Sequence, residues 1–130
     1  MIQIDLNKQR TADELIEKGY LHKKDKEDFE LVCKMAYRIA NAFNLDLKVF
    51  EPKRRPHPYG AWGLCYVAEK RIGVVFRHKE KGKWLDKLSI EKVIETTCHE
   101  LAHLRHPNHG KDFKELEQIL CACRIRKDLK

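Results

Sequence analysis

His99-Glu100-Leu101-Ala102-His103 places two imidazoles four residues apart, with a carboxylate beside the first. On a helix, residues i and i+4 lie one above the other, so both rings can reach one metal ion. A glutamate next to the first ligand is placed to work on a metal-bound water rather than on the metal. His109 follows beyond Pro107-Asn108, a turn that lets the chain come back toward the metal. As a third ligand it would leave a fourth position open, which separates catalytic zinc sites from closed structural ones. Zn2+ suits this donor set best, and nickel or cobalt could also occupy it.

His106 shares the helix face and competes for the third position. It lies about 10.5 Å from His99 along the axis, so the two rings would have to reach one ion from opposite directions. Glu115 and Glu117 on the following segment are the other candidates. Zinc lowers the pKa of a bound water to roughly 7. Glu100 could take that proton and pass it to a leaving amine. The reaction class is metal-assisted hydrolysis of an amide, with a peptide or protein as substrate. His106, Tyr59, Tyr66 and Arg105 are the possible oxyanion stabilisers, and the sequence does not choose among them.

The elements that must hold these residues follow from periodicity. A short helix is predicted over 12–18, closed by Gly19. A longer one runs from Asp25 to Asn44, with Phe29, Val32, Cys33, Ala36, Ile39, Ala40 and Phe43 at helical spacing. Leu45, Leu47 and Val49 alternate with polar residues and read as a strand. Residues 51–60, with three prolines and a glycine, read as a loop. Strands are predicted over 61–68 and 71–77, joined at Glu69-Lys70 as a hairpin, with 71–77 as an edge on which an extended peptide could add. Residues 78–87 read as a polar loop. Ser89 caps a helix that should run to about His106, because Pro107 cannot continue it. Ile90, Ile94, Thr97, Leu101 and Leu104 form its apolar anchor, and His99 and His103 face away from it. A last helix carries Phe113, Leu116 and Leu120 on one face.

This order indicates one α+β domain over residues 1–130, a small antiparallel or mixed sheet packed against helices. With 130 residues and 42% hydrophobic content the chain can bury a core without disulfide staples. Five cysteines, an odd number, and no export signal point to reduced thiols in a cytoplasm. No apolar run reaches membrane-spanning length. Cys33 and Cys98 fall on apolar helix faces, and Cys121-x-Cys123 reads first as packing. The net charge of +7 gathers in Lys53-Arg54-Arg55, in 70–87 and in the tail 124–130, and allows an acidic or nucleic-acid partner. The tail could also fold over the site and hold the enzyme latent.

The stretch Cys98 to Phe113 resembles the SprT-like and YgjP-like zinc metalloproteases, and Ala61-Trp62-Gly63-Leu64-Cys65 with Arg71-Ile72 is similar to their Trp-Gly-x-Cys hairpin. The similarity spans roughly residues 45–120 and extends to the minigluzincins, minimal zincin catalytic domains. It implies a zincin fold with His99, His103 and His109 as ligands and Glu100 as base. A minigluzincin kinship implies a glutamate as third ligand instead. SprT-like relatives act on proteins attached to DNA, which makes nucleic acid an implied partner. Lys114 and Leu64 depart from the family pattern, where tryptophan and serine are common. Two rival readings stand beside the peptidase: a zinc module in which the metal only supports folding, and a basic nucleic-acid-binding protein.

Overall fold

The computed structural model describes residues 8–56 and 61–128, with side chains up to Cys123. Thr11 opens helix α1 (Ala12–Glu17) with a capping box: Thr11 Oγ1 accepts from the Glu14 amide at 3.2 Å while the Glu14 carboxylate accepts from the Thr11 amide at 3.2 Å. A 3₁₀ turn (Lys23–Asp25) leads into α2 (Lys26–Ala42). Of the predicted apolar stripe, Phe29, Val32, Ala36, Ile39 and Ala40 are buried and Cys33 and Phe43 are half-buried; Met35, outside that stripe, is buried as well. The helix stops two residues early because Asn44 takes a left-handed conformation, φ +56°.

Leu45, Leu47 and Val49 are buried as their alternation predicts, yet 45–48 is not a strand. Strand β1 is Val49–Lys53 and reaches into the segment read as a loop. Pro52 is tolerated because β1 is an edge strand, where a missing N–H costs no ladder bond. Strand β2 (Gly63–Tyr66) and strand β3 (Arg71–Val75) pair antiparallel, as the predicted hairpin requires. Their join is longer than a two-residue turn. A 3₁₀ turn over Val67–Glu69 is closed by Lys70 at φ +56°. β3 is not an edge: β1 pairs with it in parallel, so the order is β1-β3-β2 and the free edge beside the helices is β2.

The segment 78–87 is also ordered differently from its reading as a loop. Strands β4 (Arg77–Glu80) and β5 (Lys83–Lys87) form a two-stranded ribbon turned by Lys81-Gly82, both at positive φ, +50° and +79°. Arg77 anchors it through paired contacts to the buried Asp25 carboxylate, Nε to Oδ2 at 2.9 Å and Nη2 to Oδ1 at 3.0 Å.

Helix α3 (Ile90–His103) starts at Ser89, whose hydroxyl accepts from the Lys92 amide at 3.1 Å. It buries Val93, Ile94, Thr97, Cys98 and Leu101 against a core where Phe29, Phe50 and Phe76 meet at centroid distances of 5.7–6.1 Å. Helix α4 (Lys111–Asp128) packs beside α3 and buries Phe113, Leu116 and Leu120, as predicted. Its backbone carries the basic tail on as helix as far as Asp128. The architecture is α+β, a small mixed sheet covered by helices.

Candidate metal centre

His99 and His103 are four positions apart on α3, and their rings stand 4.8 Å apart, centroid to centroid. The helix then ends at His103, three residues short of its predicted end. The chain turns through Pro107 and Asn108 and returns His109 to the pair before α4 begins at Lys111. His109 Nε2 lies 3.0 Å from His103 Nε2 and 3.3 Å from His99 Nε2. Among the described residues this is the group whose donor atoms could hold one ion. Phe113, 2% exposed, backs all three rings at 5.0, 4.5 and 4.9 Å from His99, His103 and His109.

The hydrogen bonds of the rings show that the cluster fits a cation. His103 Nδ1 lies 3.1 Å from the backbone carbonyl of His106. A carbonyl only accepts, so Nδ1 carries the proton and Nε2 presents a lone pair. His99 Nδ1 lies 2.7 Å from Glu117 Oε2, and donation to that carboxylate likewise leaves His99 Nε2 as a lone pair. Two lone pairs thus converge on the third nitrogen, which can donate to only one of them. Nitrogens bound tetrahedrally to zinc at 2.0–2.1 Å stand about 3.3 Å apart, close to the spacings found. Burial also holds His103 below the usual imidazole range, which keeps it neutral, the form that binds a metal.

Glu100 is nearly buried, 6% exposed, and lies against β2. A Cβ built on Gly63 would come within 3.0 Å of Glu100 Cγ and Oε2 and within 2.6 Å of Thr96 Cγ2, so only glycine lets the strand approach this closely. Burial pushes the Glu100 carboxyl up to about 7; His99 opposes that rise and Glu117 adds to it. A carboxyl poised there can take and return a proton near neutral pH. Glu100, His99 and Glu117 share a cleft of about 330 Å³ with Trp62, Gly63 and Thr96.

The other candidates go elsewhere. His106 meets His103 through its carbonyl, and its ring is outside the group of three. Glu115 faces Lys111 at 4.0 Å on the α4 surface. Glu117 holds Nδ1 of His99, a role that the sequence spacing alone did not separate from ligation. Arg105 donates to the Phe43 carbonyl at the end of α2, and Tyr66 lies under the Arg71 guanidinium at 4.1 Å. Tyr59 and the end of the tail, residues 129–130, lie outside the described residues. None of the five cysteines is disulfide-bonded, and Cys121 and Cys123 join no three-ligand group among the described residues. The Gly63 contact and the Phe113 backing were missed as site features; the Trp-Gly-x-Cys pattern was the available signal for the first.

Residues 21–127 match the WLM domain. That span runs from before α2 to the last turn of α4 and contains every residue of the cluster. Solved structures of Wss1 share the fold. Wss1 from Saccharomyces cerevisiae superposes with a TM-score of 0.72 at 15% identity, over 86% of this chain and 86% of that one. Wss1 from S. pombe gives 0.60 at 21% identity, over 78% of this chain and 82% of that one. No curated protein sequence matches the chain.

Proposed function

The chain belongs to the WLM domain family, and from that premise we propose that it is a zinc-dependent metallopeptidase with His99, His103 and His109 as ligands and Glu100 as general base. The observation that carries this reading is the convergence of three imidazole nitrogens beside one buried carboxyl whose pKa is pushed up to about 7. When bound, zinc supplies a Lewis acid and an acidified water. Glu100 takes a proton at its carboxylate and returns it to the departing amine. His103 presents Nε2 as its donor because its Nδ1–H is held by the His106 carbonyl. The cleft beside β2 holds the substrate, an extended peptide paired along the open edge that starts at Gly63.

The motif residues Cys98–Phe113 and the Trp62-Gly63 hairpin support kinship with the SprT-like and YgjP-like zincins. Among the described residues no helix is long and apolar enough to cross a membrane. The odd cysteine count, five, supports a reducing, cytoplasmic setting.

Glu100→Gln tests the mechanism. The variant should keep its fold and one zinc per chain, measured by elemental analysis, while peptide hydrolysis falls by at least about 10²–10⁴-fold. Hydrolysis at the wild-type rate would end the general-base reading. A wild-type protein that takes up no zinc would end the metallopeptidase reading altogether.

A further inference from the structure

We infer that Glu117 is a positioning residue that fixes the tautomer of His99 and aims its Nε2 into the three-nitrogen cluster, so that α4 braces the metal site without ligating the metal. This deepens the reading of that cluster as a zinc site and rests on it.

Glu117 and Phe113 are four residues apart on α4, hence on one face of that helix. Both touch the same ring. Phe113 meets His99 edge to face at 5.0 Å, and Glu117 Oε2 sits 2.7 Å from His99 Nδ1. The ring is held at its face and at one nitrogen, and only Nε2 remains for the cluster. His103 is held in the same sense by a backbone carbonyl, which no side-chain substitution removes. His99 depends on a side chain, so its orientation can be switched off by changing one residue. The pair is half-exposed, with 35% and 29% of the side chains accessible, so its worth lies in direction more than in charge. Glu117 is outside the group of atoms that could share one ion, which separates positioning from ligation. Partners of this kind on a metal-binding imidazole typically carry 10–100-fold in metal affinity.

Three variants separate the possibilities. Glu117→Gln keeps an oxygen that accepts from Nδ1–H but removes the charge, Glu117→Ala removes both, and Glu117→Asp shortens the reach. The first readout is the apo protein: ¹⁵N–¹H correlation of the His99 ring at mildly alkaline pH should show the proton on Nδ1 in the wild type and a mixture of tautomers in Glu117→Ala. The second is zinc affinity by competition with a chelator. We expect a loss of about 10–100-fold in Glu117→Ala, with Gln restoring most of it and Asp less. The third is the absorption of the cobalt-loaded protein, whose band intensity should be unchanged in Glu117→Gln.

The inference is overturned if His99 carries its proton on Nε2 in the wild type, or if Glu117→Ala binds zinc as tightly as the wild type. A cobalt spectrum that changes in Glu117→Gln, with no rescue of affinity, would make Glu117 a ligand instead. If Glu117→Ala fails to fold, the wild-type tautomer and the Gln variant still decide. The tautomer measurement needs neither zinc nor activity. Its failure is therefore distinguishable from failure of the peptidase reading, which would show as a wild type without zinc uptake or hydrolysis.

Discussion

The two edges of the three-stranded sheet are finished in opposite ways. At β1 the side-chain amide of Gln9 acts as a piece of neighbouring strand: Nε2 donates to the Phe50 carbonyl at 2.7 Å and Oε1 accepts from the Phe50 amide at 2.6 Å. Pro52, two residues on, has no N–H to offer. Among the described residues, β2 has no strand on its outer side and lies beside α3 instead. An open edge invites unwanted pairing, so a small domain gains by closing those it does not use. The difference teaches that the edge left open is the one beside His99 and Glu100.

Gly63→Ala should break this comparison most severely. The added methyl would sit 2.6 Å from Thr96 Cγ2. Thr96 cannot simply rotate away, because its hydroxyl donates to the Lys92 carbonyl at 2.8 Å and fixes the rotamer. Glu100 on the other side is packed and nearly buried. We expect a loss of about 1–3 kcal/mol by denaturant unfolding, the usual cost of overpacking, together with most of the peptide hydrolysis. Thr96→Ser removes the offending methyl and keeps the hydroxyl. The double variant Gly63→Ala/Thr96→Ser should therefore recover stability, and equal damage in single and double variants would show that the Thr96 contact is not the cause.

At the closed edge, Gln9→Ala removes two hydrogen bonds from Phe50. The expected loss is about 1–2 kcal/mol, two bonds at their net value. Zinc uptake and hydrolysis should be unchanged, because the sheet separates Gln9 from the histidines. A variant that keeps its stability but loses zinc would contradict the division of labour between the edges. Self-association of Gln9→Ala, read by sedimentation, would sharpen it by showing that the amide also keeps other strands away.

The same contrast explains what could be read from the sequence. The three-histidine cluster was legible because its information is local. His99 and His103 are related by one helical repeat, and His109 by a turn that Pro107 enforces. The apolar stripes of α2 and α3 were legible for the same reason. The central place of β3 was not, because its parallel pairing with β1 joins Val49 to Arg71 across 22 positions and leaves no periodic trace. Pro52 and the charges around it concealed β1, which exists because β3 offers it a ladder. The ribbon β4–β5 has no alternating apolar face. It is held by Arg77 on Asp25 and by Trp84 between His22 and Lys79, contacts that appear only once the fold is formed. Glu115 and Glu117 were both alternatives for the third ligand; Glu117 meets Nδ1 of His99, and spacing marks proximity to the site but not which nitrogen is met.

Cys65 gives the gentlest probe of the open edge. It lies on β2, half-buried against the core, and burial pushes its thiol up to about 12, with the charge of Glu100 adding and Lys70 opposing. A thiol with that pKa is almost wholly protonated near neutral pH and a poor nucleophile, so alkylation should be slow in the native protein. The raised pKa also sets a sign for stability. The unfolded thiol ionises near about 8.5 while the folded one keeps its proton. The contribution of Cys65 is therefore fully present below that pH and is lost progressively as pH rises toward the folded value. Cys33, pushed up to about 11, and Tyr37, pushed up to about 12, act in the same direction. Cys65→Val should flatten the alkaline fall in unfolding free energy without removing it, and an unchanged slope would mean that Cys65 is not held protonated. In Gly63→Ala the displaced strand should expose the thiol and speed its alkylation. In Gln9→Ala, at the far edge, the rate should stay as in the wild type, because β2 keeps its place against α3 there.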